Sequence, residues 1–262
     1  MMDMIITASL VLFAVMLILW LISLKTGTVS FIDAYWGMGF VQVAAVCMER
    51  QVTMAGAEMG LAQKLYMLLL GLWALRLSAY LLSRYLADGE DKRYTRIIGA
   101  RTGFRRHLFT LEMVFLLQGV LILLISAPTF TLMAAPARGL DAWVVAGALI
   151  WAVGIFFEWT GDWQLSRFRA DPANAGKVLD RGVWAYTRHP NYFGDACMWW
   201  GLWLIGHDLY ALYAPALMTF MLMKWSGVPL LERGLRKSRP GYEDYAARTS
   251  AFVPWPPKAV RE

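Results

Sequence analysis

The sequence predicts an all-α membrane protein: a seven-transmembrane helix bundle with its N-terminus external and its C-terminus cytoplasmic. Three observations predict it. Of 262 residues, 58% are hydrophobic and 17% charged, against about 45–50% and 25% in soluble domains, and the mean hydropathy is +0.46. Apolar runs long enough to cross about 30 Å of hydrocarbon recur along the chain. The charges between those runs alternate in a way that fixes a sidedness.

The runs fall at roughly 4–24, 30–48, 62–86, 109–132 and 142–165. A further region, roughly 192–231, is too long for one crossing. It is interrupted at Gly206, His207 and Asp208, so it divides into two spans, the first short and either shallow or tilted. The opening MMDMIITASL carries an acidic residue, no basic n-region and no small-residue cleavage site, which predicts a retained helix rather than a cleaved signal. Cys47 and Cys197 both lie in apolar runs, at no spacing that suits a metal site or a disulfide framework. With no internal repeat and no low-complexity linker, we expect one integral-membrane domain over 1–262, with helices one to three in 1–108 and four to seven in 109–262.

The connections assign the sides. Segments 84–107 and 166–190 and the tail after 231 are rich in Lys and Arg, whereas 49–64 is nearly balanced and 133–141 and 206–208 carry little charge. Seven crossings put every basic segment on one face, which the positive-inside rule makes cytoplasmic. A basic, aromatic-rich face of this kind suits an anionic ligand; it equally attracts anionic lipid headgroups.

Polar residues within the runs are the candidate functional groups, because such residues are costly in hydrocarbon unless partnered. The second run opens SFIDAYWGMGF. There Asp33 either closes a capping box with Ser30 or faces the bundle interior beside Tyr35. In the third run Arg76, Tyr80 and Arg84 stand four apart; Glu112 and Lys224 are further intramembrane candidates. The fifth run ends with Glu158, Asp162 and Arg169 on one helical face, either a wall of acceptors for ligand hydroxyls and amides or an ion pair between helices. In GVWAYTRHPNYFGD (182–195), Pro190 suits the first turn of a helix, and Asn191 and Asp195 follow four apart on one face. This is either a cap with snorkelling charges or a ligand site. The chain has no GxGxxG after a strand, no P-loop, no HExxH and no CxxC, so neither a Rossmann domain nor a metal centre is expected.

Five segments carry a resemblance: GDWQLSRFR (161–169), GVWAYTRHPNYFGD (182–195), SGVPLLERGLRKSRPGYEDY (226–245), TSAFVPWPP (249–257) and, more weakly, GEDKRY (89–94). Through them the chain resembles the steroid 5α-reductase family, in its bacterial branch of small integral-membrane proteins. That family includes sterol C14 reductases and shares a distant C-terminal fold with isoprenylcysteine methyltransferases. The resemblance implies an NADPH-dependent oxidoreductase acting on CH–CH groups, a multi-pass protein of the bacterial inner membrane with its active site facing the cytoplasm. Its substrate would be a lipophilic enone from the bilayer, of the 3-oxo-4-ene steroid type, and its other partners membrane lipids, with no nucleic acid and no metal.

The resemblance places the NADPH-binding part in 109–262 and the substrate and catalytic part in 1–108. Asp162, Arg169, Lys177, Asn191, Tyr192 and Asp195 match cofactor-contacting positions. Arg93 and Tyr94 match a basic–aromatic pair that closes over the cofactor. Glu158 stands where the family has an amide-type residue, Arg188 and His189 match the sterol-reductase form of the motif, and Lys224 is counted with this set. The family polarises the substrate carbonyl with a Gln-Glu pair on helix two and a Tyr on helix three. Here Asp33 falls near the Glu, Ile32 replaces the Gln, and Tyr80 lies a turn beyond the Tyr position, which is Arg76 or Leu77. The expected proton donor is therefore Asp33 with Tyr35, or Tyr80. The alternative activity is S-adenosylmethionine-dependent methyl transfer of the isoprenylcysteine or phospholipid type. RHPNY and Glu232 fit that activity as well, while GEDKRY and TSAFVPWPP favour the reductase. A third expectation is a non-enzymatic protein whose basic face only binds headgroups.

Overall fold

The computed structural model describes residues 1–54, 56–225 and 227–258, apart from the side chains of Met54 and Leu230. Among the described residues all regular structure is helical, and extended pairing is limited to one parallel bridge between Thr187 and Ser250. Among the described residues four helical segments are long and apolar enough to cross a membrane: Met2–Thr26, Leu61–Asp88, Gly103–Ile125 and Ala142–Ala170. They correspond to the first, third, fourth and fifth expected runs. The second run forms a helix at Ile32–Glu49. The last two form Pro190–Gly206, with 17 residues, and Tyr213–Phe220, which continues as a π-helical stretch over Met221–Trp225. At 1.5 Å per residue the 17-residue helix is about 26 Å long, short of about 30 Å of hydrocarbon. Length and composition thus support four crossings where the charge pattern predicts seven.

The chain divides into two compact units: Met1–Val144 with Gly206–Ala211, and Val145–Ile205 with Leu212–Glu262. The expected division after residue 108 falls inside the first.

In the first unit, α1 (Met2–Thr26) ends at Gly27, whose left-handed φ of 73° returns its amide to the Ser23 carbonyl. The next helices are α2 (Ile32–Glu49) and α3 (Leu61–Asp88). They pack closely: a methyl on Gly37 would lie 3.0 Å from the Ala74 backbone, the ordinary use of a small residue between apolar helices. A short α4 (Lys92–Ile98) precedes α5 (Gly103–Thr110), which runs through a π-helical stretch, Leu111–Leu116, into α6 (Leu117–Ile125), and α7 (Ala127–Ala134) follows. The core holds Leu12, Met16, Phe40, Tyr66, Trp73, Phe115 and Ile122. Two of its buried polar groups are paired across the unit: the Tyr66 and Thr129 hydroxyls lie 2.7 Å apart, and Gln63 donates to the Pro136 carbonyl at 2.9 Å.

The second unit is built on α8 (Ala142–Ala170) and α9 (Pro190–Gly206), with α10 (Tyr213–Phe220), α11 (Val228–Ser238) and α12 (Tyr242–Arg248) after them. Gly147, Gly154 and Gly161 recur every seven residues, two helical turns, and so line one face of α8. α9 answers with Gly201, Gly194 and Pro190. A methyl on Gly154 would sit 2.5 Å from the Gly194 carbonyl oxygen, and one on Gly147 2.5 Å from that of Gly201. The two backbones therefore touch, and no side chain fits between them.

The segment before α9 is held by a clasp. Thr187 donates to the Phe252 carbonyl at 2.8 Å, the Arg188 amide to Ser250 at 2.9 Å and the Trp255 amide to Tyr186 at 2.9 Å. The Arg188 guanidinium donates to Glu232 at 2.8 Å and to the Ala246 and Thr249 carbonyls at 2.9 and 2.7 Å. His189 lies with Nε2 3.1 Å from the same Glu232 oxygen. A carboxylate only accepts, so Nε2 carries the proton. The side chains of Arg188, Glu232 and His189 are 12%, 11% and 3% exposed. Charges this sheltered stay ionised only when fully paired. Burial alone would raise the Glu232 pKa, but hydrogen bonds from His189 and Arg188 outweigh it and hold the carboxyl at about 2.

Two outcomes follow from these packings. Gly154→Leu should lower the thermal midpoint of the detergent-solubilised protein, since overpacking costs about 1–3 kcal/mol, while Gly71→Leu, which meets open space, should leave it unchanged. Because the folded pKa of Glu232 is depressed from 4.5 to about 2, the clasp should contribute its full stability above pH 4.5 and lose it as pH falls through that interval. Thermal melts across this range should show an acid-sensitive component that Glu232→Gln removes.

Candidate functional site

In the first unit, a polar network gathers at the start of α2. Glu90 holds the turn that leads into that helix. Its carboxylate accepts from the Val29 amide at 2.9 Å, the Ser30 amide at 3.1 Å and the Ser30 hydroxyl at 3.0 Å, the favoured position for an anion. Ser30 also accepts from the Asp91 amide at 3.1 Å. With the Ser30 hydroxyl engaged by Glu90 and the Asp91 amide, Asp33 forms no capping box with Ser30. It turns instead to α4: Arg93 donates to one of its oxygens at 2.9 Å and Tyr94 to the other at 2.5 Å.

The two donors are themselves held. Asp91 caps α4 by accepting from the Arg93 amide at 2.7 Å, and it takes the Arg93 guanidinium at 2.9 and 3.1 Å. Gln118, on α6, donates to the Tyr94 hydroxyl at 3.0 Å. Burial works against ionisation of Asp91, but its bonds from Arg93 prevail and lower its pKa. Burial first, and then the negative charge of Asp33, push the Tyr94 phenol well above 10, so it keeps its proton throughout the neutral range. The arrangement is a carboxylate and a phenol sharing one short hydrogen bond, oriented by a guanidinium and an amide.

The other two expected acids lie elsewhere. The Tyr35 hydroxyl donates to Gln42, two turns along its own helix, not toward Asp33. Tyr80 is half-buried between Arg76 and Arg84, whose guanidinium carbons lie 5.6 and 5.9 Å from its ring centre.

In the second unit, the glycine contact carries the polar stripe of α8 onto the first turns of α9. Asp162 and Glu158 are both buried. Asn191 donates to Asp162 at 3.3 Å and accepts from the Tyr192 amide at 3.1 Å. A methyl on Gly194 would lie 2.6 Å from the Glu158 amide nitrogen, so α9 offers backbone, not side chain, at that level. Asp195 is half-buried one turn beyond Asn191. Gln164 accepts from the Val183 amide at 3.1 Å, and Trp184 donates to the Gly161 carbonyl at 3.1 Å; these bonds tie the loop before α9 to α8. Arg169 and Lys177 are exposed at the end of α8 and in the following loop, and Lys224 is exposed in the π-helical stretch after α10.

The structure thus joins Asp33 with Arg93 and Tyr94, and Asp162 with Asn191. Arg188 and His189 give their donors to Glu232 and backbone carbonyls, and the His189 ring stacks on Tyr192 with centres 5.6 Å apart. Gln118 and Gln164 were missed in the sequence reading. Gln118 had a visible signal, an amide within VFLLQGVLILL. Gln164 had none, because its role depends on where the loop returns. Among the described residues no cluster of His, Cys, Asp and Glu could hold a metal ion.

Comparison with known proteins adds a family. No curated protein and no solved structure matches the chain. A family model described as "Protein of unknown function (DUF1295)" matches residues 19–249, and the chain belongs to that family.

Proposed function

We propose that this protein is a membrane-embedded, NADPH-dependent reductase of the steroid 5α-reductase type. It would reduce the carbon–carbon double bond of an enone in a steroid-like lipophilic substrate. The observation that carries the reading is the Asp33–Tyr94 pair, a carboxyl accepting from a phenol, with the two fixed by Arg93 and Gln118. The motifs that resemble that family support it, and the family match covers all of them except residues 250–257 of TSAFVPWPP. In this reading α2, α9 and α10 are short crossings that complete seven, with the N-terminus external and the basic face cytoplasmic, as the charge pattern favours.

The residues of the second unit fit a phosphorylated dinucleotide. Arg169 and Lys177 are cations suited to phosphate oxygens. Asn191 donates and accepts, and Asp162 accepts from hydroxyls. Arg188 and His189, committed to Glu232, hold the loop instead of a phosphate. When bound, NADPH supplies hydride to the β-carbon of the enone. The Tyr94 hydroxyl would donate to the carbonyl oxygen as charge builds there, and Asp33 positions that hydroxyl. Arg93 keeps the carboxyl in one orientation, and Gln118 does the same for the phenol.

Calorimetric titration should detect NADPH binding and none of S-adenosylmethionine; the opposite result would favour the methyltransferase. Turnover of a 3-oxo-4-ene steroid, followed by loss of nicotinamide absorbance, should fall roughly 10²-fold or more in Tyr94→Phe, with the NADPH dissociation constant unchanged. Wild-type rates in both Tyr94→Phe and Asp33→Asn would remove this pair from the mechanism.

A further inference from the structure

Two clefts on the second unit are not used by this reading. One, of about 780 Å³, is lined by Phe156, Phe157, Val183 and Tyr186 among others. The second, of about 540 Å³, is lined by Trp163, Arg167 and Phe168 among others. They share Gln164, Arg181 and Gly182, so they form one groove along α8 with an apolar end and a basic end. We propose that this groove binds a single anionic phospholipid of the leaflet on the basic side, with an acyl chain against the phenylalanines and the headgroup phosphate between Arg167 and Arg181.

Charge, length and surface chemistry agree on that occupant. Arg167 and Arg181 are exposed, and among the described residues neither forms an ion pair. Of the rim's two carboxylates, Asp180 is ion-paired with Arg248, which leaves Asp171, held by the Ala173 amide at 2.9 Å, as one negative charge against two guanidiniums. The groove's free charge is therefore positive. Arg167 lies over the Trp163 ring, 5.1 Å from its centre, and Trp163 is 52% exposed, the amphipathic pairing found at the headgroup level. From Phe156 to Arg167 is eleven residues, about 16 Å of helix, or half of a bilayer's hydrocarbon thickness. A phosphate at Arg167 thus puts its acyl chain alongside Phe156, which is 57% exposed. The inference rests on α8 crossing the membrane, not on the reductase chemistry.

Native mass spectrometry of the full-length protein, released from micelles doped with equal phosphatidylglycerol and phosphatidylcholine, tests it. The wild type should retain one phosphatidylglycerol in preference to phosphatidylcholine. The double variant Arg167→Gln/Arg181→Gln should lose that preference by roughly tenfold, as expected for two cations near an anionic surface. Arg233→Gln, which changes an exposed cation of α11, should keep it. An unchanged preference in the double variant, or none in the wild type, would overturn the site. So would competition by inorganic phosphate at equal concentration, which would mark a free-anion site. Partitioning of the wild type into liposomes, measured alongside, separates the two premises. A protein that enters liposomes without headgroup preference refutes only the groove, whereas one that stays out refutes the membrane reading with it.

Discussion

The backbone contact between α8 and α9 is the constraint on which the second unit depends. In an apolar surrounding there is no hydrophobic force between helices, so close packing must hold them together. Gly147, Gly154, Gly194 and Gly201 allow that approach because they have nothing to place in the gap. The same contact brings the buried Asp162 within reach of Asn191. A larger residue at Gly154 would separate these groups as well as the helices. Packing and chemistry are thus one requirement here: the glycines that make α8 and α9 cohere also set the polar residues of both in register.

A second lesson comes from how charge is managed. Each unit contains an acid tied to an arginine, yet the two arrangements differ in what they leave available. Glu232 is surrounded by Arg188, His189 and Arg236, and its carboxyl is held strongly ionised. That suits a structural clasp. Asp33 has one guanidinium and one phenol, and the phenol keeps its proton. In the proposed reductase that phenol would be the donor to the substrate oxygen. The contrast separates a load of satisfied charge from a pair that keeps a proton, and neither shows in local sequence, since Arg93 lies 60 residues from Asp33 and Arg188 lies 44 from Glu232.

Much of the fold was legible because its signals are local. The apolar runs at 4–24, 62–86, 109–132 and 142–165 became helices of spanning length, since length and hydropathy need no partner to be read. The shorter α2 and α9 were harder, because polar residues at their starts dilute the apolar signal and their ends depend on caps supplied from elsewhere. Asp33 shows the difficulty in one residue. Its spacing from Ser30 is that of a capping box, but Glu90, sixty residues away, takes the Ser30 hydroxyl and leaves Asp33 to Arg93 and Tyr94. Tyr35, adjacent in the helix, pairs with Gln42 instead. Sequence proximity identified the acid and not its phenol, because the phenol arrives through tertiary packing of α4. The seven-residue glycine repeat was present in the sequence, and its meaning appeared only when the facing helix supplied its own.

In the proposed function the polar faces of α8 and α9, with the loop between them, hold a phosphorylated nicotinamide dinucleotide. Amide hydrogen exchange read by mass spectrometry, on the solubilised protein with and without saturating NADPH, is the sharpest test of that proposal. Peptides covering residues 158–195 should exchange more slowly with NADPH and be unchanged with S-adenosylmethionine. Exchange in that segment that is the same with and without NADPH would refute it.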